Sequence, residues 1–161
     1  MGSEVLCTDG ALTVRRFREG DLPELAALLA DPEVMRWLEP PFDRARAAEF
    51  LRAAGLSEPP LIYAAEEDGA FLGYVIFHRY GGEDAAELGW VLRRSAWGRG
   101  YAGRLTALLL SAAEGKWAEA VIECAPEQRA SARVAEKLGF REEGMADGCR
   151  VFRRAVTRDG T

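Results

Sequence analysis

Two glycines two positions apart, Gly98 and Gly100, stand between two apolar segments of the chain. The segment before them, 88–92, is short and contains β-branched and aromatic residues, whereas the segment after them repeats apolar residues at helical spacing. This order predicts a strand that enters a helix through a tight turn. Glycine lets the main chain approach a ligand closely, and the first N–H groups of a helix lack intrahelical partners. The loop is therefore suited to binding an anion such as a phosphate.

Length and composition limit the classes of protein to which this chain can belong. With 161 residues, 48% of them hydrophobic and 29% charged, the chain is expected to form one domain, 1–161. A net charge of −5 argues against nucleic-acid binding and suits a cationic partner such as an amine, although solubility alone also accounts for it. Cys7, Cys124 and Cys149 are odd in number and lack CxxC spacing, so neither a disulfide framework nor a metal site is indicated. No apolar run of transmembrane length and no signal-peptide pattern occurs, so we expect a soluble, cytoplasmic protein without a membrane partner.

Periodicities of 2 and 3.6 residues predict an α/β chain. The predicted strands are 12–17, 61–66, 70–80, 85–92, 118–125, 140–145 and 149–157. The predicted helices are 22–30, 44–54, 102 to about 115, and 131–138. The ends, 1–10 and 158–161, are expected to be loose. A strand–helix–strand crossover makes 118–125 parallel to 85–92, whereas the short connections predict antiparallel pairing for the three strands that lead into the glycine loop and for the last hairpin.

Two local details follow from the pattern. Asp21 is expected to cap the first helix, with Glu24 three residues later as its capping-box partner. Strict alternation along the long strand places Phe71, Val75 and Phe77 on one face of the sheet.

Two stretches carry a resemblance to a known family. The loop WGRGYA, 97–102, resembles the acyl-CoA-binding loop of the GNAT superfamily of N-acetyltransferases, although that loop usually begins with Gln or Arg where this chain has Trp97. The run ECAPEQRASARVAEKLGF, 123–140, also looks like GNAT sequence, whose members often carry Pro-Glu-Asn-x-x-Ser and then Lys-Leu-Gly-Phe. The loop is similar to the branch that acetylates protein N-termini, antibiotics and other small amines. With 15–22 and 31–35, the resemblance covers essentially the whole chain.

The resemblance implies the GNAT fold, classed α/β (α+β). This fold is a mixed, mostly antiparallel sheet whose central parallel strand pair is splayed around the cofactor, flanked by about four helices. It implies acetyl-CoA as cosubstrate. The pantetheine arm would pair with Trp90, Val91 and Leu92 like an added strand. The pyrophosphate would be bound by Gly98, Arg99, Gly100, Tyr101, Ala102 and Gly103. Gln128 stands where many relatives have an Asn that contacts the cofactor arm.

An amine must lose a proton before it attacks a thioester, because an ammonium has no lone pair and a free amine has a pKa near 10. The resemblance implies direct transfer without an acyl-enzyme, so Cys124 is interpreted as core. Glu123 aligns with a strand carboxylate that acts as base in some relatives, and Glu87 on the neighbouring strand is the alternative. Ser131 matches a serine proposed as the acid in the ribosomal-protein branch; an N-cap or a cofactor contact are its other interpretations. His78 is interpreted as a bystander.

Two functions are compatible with this sequence. The first is an acetyl-CoA-dependent N-acetyltransferase that acts on a protein N-terminus or a small-molecule amine. The second is a GNAT-fold module that binds CoA, or regulates, with little or no turnover. A homodimer is also compatible with the sequence. Trp37 and Phe42 either wall the substrate pocket or cap the core. The acidic side chains expected to border the cleft and attract a cationic amine are Glu39, Glu83, Asp84 and Glu87.

Overall fold

The computed structural model describes residues 4–156, in which eight strands form a single sheet. The strands are β1 (Val5–Thr8), β2 (Leu12–Arg15), β3 (Ile62–Glu67), β4 (Ala70–Arg79), β5 (Ala85–Leu92), β6 (Glu119–Cys124), β7 (Arg141–Ala146) and β8 (Cys149–Ala155). Their order across the sheet is β1-β2-β3-β4-β5-β6-β8-β7. Every neighbouring pair is antiparallel except β5 and β6, which are parallel. The expected mixed sheet with one central parallel pair is confirmed.

Four α-helices cover the sheet. They are α1 (Leu22–Leu29), α2 (Arg44–Phe50), α3 (Tyr101–Ala113) and α4 (Arg129–Lys137). Leu105 and Leu109 of α3 are fully buried in one core with the strands and α4, whereas Leu25 and Leu29 of α1 are buried in a second core with α2. A π-helical turn, Leu51–Gly55, continues α2 and brings its end close to the predicted position 54. None of these helices is long and apolar enough to cross a membrane.

The prediction of a loose end before the first strand was wrong for Val5–Thr8. This segment forms β1 and pairs antiparallel with β2. The turn between them uses Asp9, whose carboxylate accepts the N–H groups of Ala11 and Leu12, and Gly10, whose φ is +105°. Asp-Gly is a strong hairpin signal between extended segments, and in this chain it joins β1 to β2. The predicted strand 12–17 is correspondingly shorter, Leu12–Arg15.

The capping role predicted for Asp21 was also wrong. Its carboxylate makes no cap for α1 and instead accepts hydrogen bonds from both terminal nitrogens of Arg15, each at 2.9 Å, and from the N–H of Arg18. Glu66 holds the Nε of Arg15 at 2.7 Å. Arg15 is only 7% exposed, so its guanidinium requires paired carboxylates. The buried charge outcompetes the helix end for Asp21.

The alternation predicted along β4 fails at a bulge. Ala65 pairs with Gly73 and Glu66 with Phe71, so β4 carries one extra residue there. Phe71 consequently packs with Tyr74 on the α1/α2 side, whereas Val75 and Phe77 face α3. Gly73 has a φ of +150°, and a β-carbon there would lie 2.1 Å from the carbonyl oxygen of Val91. Only glycine fits where β4 passes this close to β5.

The remaining elements match the prediction to within about two residues. β5 has the predicted bounds, and Gly139 follows α4 with a φ of +88° as expected for a C-terminal glycine cap. The last hairpin turns at Asp147 and Gly148, both with positive φ. Thr157, predicted as the end of β8, and the segment 158–161 lie outside the described residues.

Candidate active site

The parallel strands β5 and β6 separate along their length. They pair at only three positions, from Ala85 with Glu119 to Glu87 with Val121. β5 then continues to Leu92 and β6 to Cys124 without pairing each other. We call this opening the β5–β6 gap. Main-chain groups along such a gap are free to pair with an extended ligand, as an added strand would.

A cavity of about 590 Å³ lies at the gap. It is bounded by the end of β5, the glycine loop, the start of α4 and the connection between α1 and α2. The residues predicted to contact a cofactor that line it are Trp90, Val91, Leu92, Gly98, Gly100, Tyr101, Ala102, Gly103 and Gln128. Arg99 does not line it; its guanidinium lies over the ring of Tyr101 at 5.4 Å. Trp37 lines the cavity, whereas Phe42 is buried in the core.

The glycine loop leaves room for a ligand. Gly98 and Gly100 have φ values of +72° and +83°, and Gly100 directly precedes the first residue of α3. A β-carbon added at Gly98, Gly100 or Gly103 would meet no protein atom within 4 Å. The space beside these glycines is therefore open, and the first N–H groups of α3 are free of intrahelical partners. This geometry fits an anionic group such as a diphosphate.

The α4 side of the cavity supplies two polar side chains. The Oε1 of Gln128 accepts the N–H of Ala125 at 2.8 Å, so only its amide NH2 is available to a ligand. Ser131 is half-buried, lines the cavity and lies inside α4 rather than at its cap. Among the side-chain hydrogen bonds within 4–156, the Ser131 hydroxyl makes none. A ligand in the cavity could therefore use it, and its interpretation as an N-cap was wrong.

The two candidate carboxylates, Glu87 and Glu123, stand at the apex of the gap. Glu87 is the last residue of β5 that pairs with β6, and Glu123 lies two residues beyond its partner Val121. Strand alternation turns both side chains to the face opposite α3 and α4. Neither side chain lines the cavity itself.

Each carboxylate has a different neighbour. The Nε2 of His78 lies 3.5 Å from the Oε1 of Glu87, because the two residues are paired across β4 and β5. Burial raises the pKa of Glu87, the charge of His78 opposes this, and the charge of Glu123 adds to it. Glu123 instead accepts a hydrogen bond from the hydroxyl of Tyr80. A carboxylate whose charge is disfavoured is a better proton acceptor than a free one.

Tyr80 was not identified from the sequence. It is the last residue of the predicted strand and lies two positions after His78, so alternation places both side chains on the same face. This position was the available signal. Its contact with Glu123 reaches past β5 to β6, and this neighbour relation depends on the parallel pairing of strands far apart in sequence.

Three of the four side chains of the expected acidic border have partners within the protein. Glu39 pairs with Arg46 at 2.6 Å, and Glu83 pairs with Arg153 at 2.8 Å. Asp84 accepts the N–H of Ala118 at 3.2 Å. Of the four predicted side chains, Glu87 alone has no arginine or backbone N–H partner within the described part of the chain. Of the four, Glu87 is therefore the side chain whose carboxylate is least engaged by other groups.

The cysteines play no visible part in this site. Cys124 is 5% exposed in the core, as interpreted from the sequence, and all three cysteines are free thiols. Within residues 4–156, no group of three or more His, Cys, Asp or Glu side chains could hold a metal ion.

A glycine loop at a helix start beside a splayed parallel strand pair defines the class of protein. The family model described as "Acetyltransferase (GNAT) domain" matches residues 11–141, and the chain belongs to this family. It is 28% identical over 148 residues to the uncharacterized N-acetyltransferase YnaD of Bacillus subtilis (strain 168), covering 88% of this chain and 86% of that protein.

Several solved structures share the fold, among them two acetyltransferases. An acetyl transferase from Salmonella typhimurium that modifies the N-terminal serine of ribosomal protein L7/L12 is 19% identical, with a TM-score of 0.81 over 96% of this chain and 100% of that one. The spermidine N-acetyltransferase of Vibrio cholerae, in complex with CoA and spermine, is 18% identical, with a TM-score of 0.77 over 92% and 97% of the chains. At such identities the likeness shows the fold.

Proposed function

We propose that the protein transfers an acetyl group from acetyl-CoA directly to a primary amine, either a protein N-terminus or a small molecule. The observation that carries this proposal is the β5–β6 gap, with an anion-binding loop on one side and the carboxylates of Glu87 and Glu123 at its apex. The two relatives with solved structures act on amines of these two kinds, which supports the proposed acceptor class.

The cavity residues would hold the cosubstrate. The open space beside Gly98, Gly100 and Gly103 suits the diphosphate, whose charge the free N–H groups of α3 would bind. The unpaired edge around Val91 would pair with the amides of the pantetheine arm. Gln128 would donate its remaining NH2 group. Bound in this way, acetyl-CoA supplies a thioester activated for transfer, and the gap directs it toward the carboxylates.

The carboxylates would prepare the amine. An amine with a pKa near 10 arrives as an ammonium at neutral pH, so a base must take its proton before the nitrogen can attack. Glu123 and Glu87 are the two candidates, acting directly or through an ordered water. Ser131, on the cavity wall, is positioned on the cosubstrate side of the gap and would donate a proton to the leaving thiolate.

The direct test is release of CoA thiol from acetyl-CoA in the presence of an amine panel. The panel should contain peptides with N-terminal serine or alanine, polyamines and simple monoamines. We expect at least one amine to raise thiol release about 100-fold or more above the amine-free rate. Tight CoA binding with no release for any amine would favour the alternative, a module that binds CoA without turnover.

A further inference from the structure

The cavity at the β5–β6 gap opens on both faces of the sheet. Val91 and Leu92 are consecutive on β5, so their side chains point to opposite faces. Val91 is buried with residues of α1 and α2, and Leu92 is buried in the core with α3, yet both line the cavity. The glycine loop and α4 border the cavity on the α3 face, whereas residues between 33 and 38, in the connection from α1 to α2, border it on the other. Two ligands could therefore meet in this cavity from opposite faces.

The acceptor belongs on the face of α1 and α2. The cosubstrate would occupy the glycine loop on the α3 face, whereas the side chains of Glu87 and Glu123 lie on the opposite face. Whichever of the two carboxylates takes the proton, the amine must approach on their face. The carbon skeleton attached to the nitrogen then lies beside the connection from α1 to α2.

This connection presents apolar side chains to the cavity. Within residues 4–156, seven large hydrophobic side chains are exposed, and three of them, Trp37, Leu38 and Trp97, line this one cavity. Trp37 is 40% exposed and Leu38 is 46% exposed. Single exposed apolar residues are common on protein surfaces, but a group of them at a cavity marks a ligand site. The two consecutive residues Trp37 and Leu38 are on the acceptor side.

The main chain holds these two side chains in place. Met35 is buried in the core, and its N–H donates to the carbonyl of Asp31 at 3.0 Å. The N–H of Leu38 donates in turn to the carbonyl of Met35 at 2.9 Å. The carboxylate of Asp31 accepts the Nε of Arg94, just before the glycine loop, at 2.9 Å. Trp37 and Leu38 are therefore exposed on an anchored turn.

The charges around the cavity do not favour a polycation. The charged side chains that line it are two acidic and two basic ones, Glu33, Glu127, Arg36 and Arg129. The guanidinium of Arg36 lies over the ring of Trp37, 4.8 Å from its centre, and Arg36 forms no ion pair with any described residue. A second ammonium group beside Trp37 would be repelled by this guanidinium. The acceptor side of the cavity is thus apolar with a cation at its border.

We propose that the acceptor is a primary amine that carries an aromatic or branched aliphatic group close to its nitrogen, and that Trp37 and Leu38 determine this specificity. The inference rests on the proposed function and names its substrate class. Removing such a group from water against Trp37 and Leu38 favours its binding, whereas a polyamine has no comparable apolar group to bury. An arylalkylamine and a peptide with an aromatic first residue share this chemistry.

The first test compares two pairs of acceptors. One pair is phenylethylamine and diaminobutane, and the other is a peptide that begins with phenylalanine and the same peptide beginning with serine. Values of kcat/KM are compared at equal concentrations of free amine. We expect the apolar member of at least one pair to be preferred about tenfold or more, and the pair that shows the preference identifies the source of the amine. Preference for the polar member, or none, in both pairs would overturn the inference.

The second test removes the apolar side chains. Trp37→Ala should raise KM for the preferred amine about tenfold, while kcat and the Kd of acetyl-CoA stay the same, because the contact is made equally in the ground state and the transition state. KM for the polar amine should not change, and Trp37→Phe should retain most of the selectivity.

Leu38→Ala should raise KM for the apolar amine about threefold. Its matched control is Leu61→Ala, because Leu61 is 43% exposed and does not line the cavity. Unchanged selectivity in Trp37→Ala, or weaker acetyl-CoA binding with no change in KM for the amine, would contradict the role given to these residues.

Binding measured without turnover separates two failures. Phenylethylamine and the phenylalanine peptide are titrated calorimetrically into the CoA-bound parent and into CoA-bound Trp37→Ala. An active enzyme with no preference for the apolar amines would overturn this inference and leave the proposed function standing. A protein that acetylates no amine, but binds one of these two more weakly in Trp37→Ala, would overturn the proposed function and leave the apolar site. Neither binding nor turnover of either amine would overturn the inference.

Discussion

The indole N–H of Trp97 donates a hydrogen bond to the main-chain carbonyl of Leu92, 2.9 Å away. This bond ties the first residue of the glycine loop to the last residue of β5. The family's loop usually has Gln or Arg at the position of Trp97. Here the side chain fixes the loop from within, and 47% of it remains exposed at the cavity.

Trp97→Phe should weaken acetyl-CoA binding while leaving the fold intact. An aromatic ring is kept at this position, but one neutral hydrogen bond worth about 1 kcal/mol is lost, so the Kd should rise about fivefold by titration calorimetry. Trp117→Phe is the matched control, since Trp117 packs against Phe77 at 5.4 Å and lines no part of the cavity. An equal rise in both variants would assign the effect to general destabilisation.

Gly103→Leu should abolish cosubstrate binding in a folded protein. At about a hundredfold over its Kd, acetyl-CoA should add roughly 2.7 kcal/mol to the stability of the parent. Gly103 lies in α3 and lines the cavity, and a β-carbon added there meets no protein atom within 4 Å, so a leucine should extend into the ligand's space. Gly100 is a poorer test, because its φ of +83° would strain a branched residue and confound folding with binding.

The control for that experiment is Ala107→Leu, which adds the same side chain to an exposed position on the same helix. It should retain the full thermal shift with acetyl-CoA. Retention of the shift in Gly103→Leu as well would show that the ligand does not lie along the start of α3.

Glu87→Gln should make the protein more stable at neutral pH while making it less active. The folded-state pKa of Glu87 is raised by burial, so its contribution to stability is complete below the unfolded pKa and is lost as the pH rises through the folded value. Removing the charge should therefore raise Tm by about 2 °C at pH 7. The gain should disappear below about pH 3, where the carboxyl is protonated in both the folded and the unfolded state. A lower Tm for the variant at pH 7 would indicate that Glu87 is stabilised as an ion.

Arg15→Met should destabilise the fold strongly. Asp21 and Glu66 would remain half-buried without their cation, at a cost of about 3 kcal/mol, or about 6–12 °C in Tm. Arg16→Met is the neighbouring control, because its ion pairs with Glu4 and Glu58 are exposed and should be worth less than about 1 kcal/mol. Similar losses in the two variants would contradict the argument from burial.

The same cluster predicts the response to acid. Burial raises the pKa of Asp21, but the hydrogen bonds from Arg15 and from the N–H of Arg18 outweigh it and lower the pKa below its usual value. A lowered folded pKa gives stability that is present above the unfolded value, near 4, and is lost as the pH falls through the folded one. The Tm of the parent protein should therefore fall more steeply below pH 4 than the Tm of Arg15→Met.

Local signals predicted the parts of the site that depend on local geometry. Glycine spacing at a helix start was sufficient for Gly98 and Gly100, and the crossover rule was sufficient for the parallel pairing of β5 and β6. The prediction failed where the local structure depends on contacts between segments that are far apart in sequence. The bulge at Gly73 depends on how close β5 passes, and Tyr80 meets Glu123 only because β6 lies beside β5. No periodic pattern of residue types in the sequence indicates either of these two contacts.

The close approach at Gly73 also has a consequence for how this protein can change. With the Val91 oxygen 2.1 Å from any added β-carbon, position 73 should tolerate no other amino acid in a saturation library, and the end of β5 keeps one fixed course beside the cosubstrate. Substitutions that change the preferred acceptor must then occur at other positions. The exposed residues Trp37 and Leu38, on the connection between α1 and α2, offer that freedom because their side chains are not committed to the core. Substitutions at Trp37 and Leu38 should therefore change which amine is accepted, while the residues that bind the acyl donor stay the same.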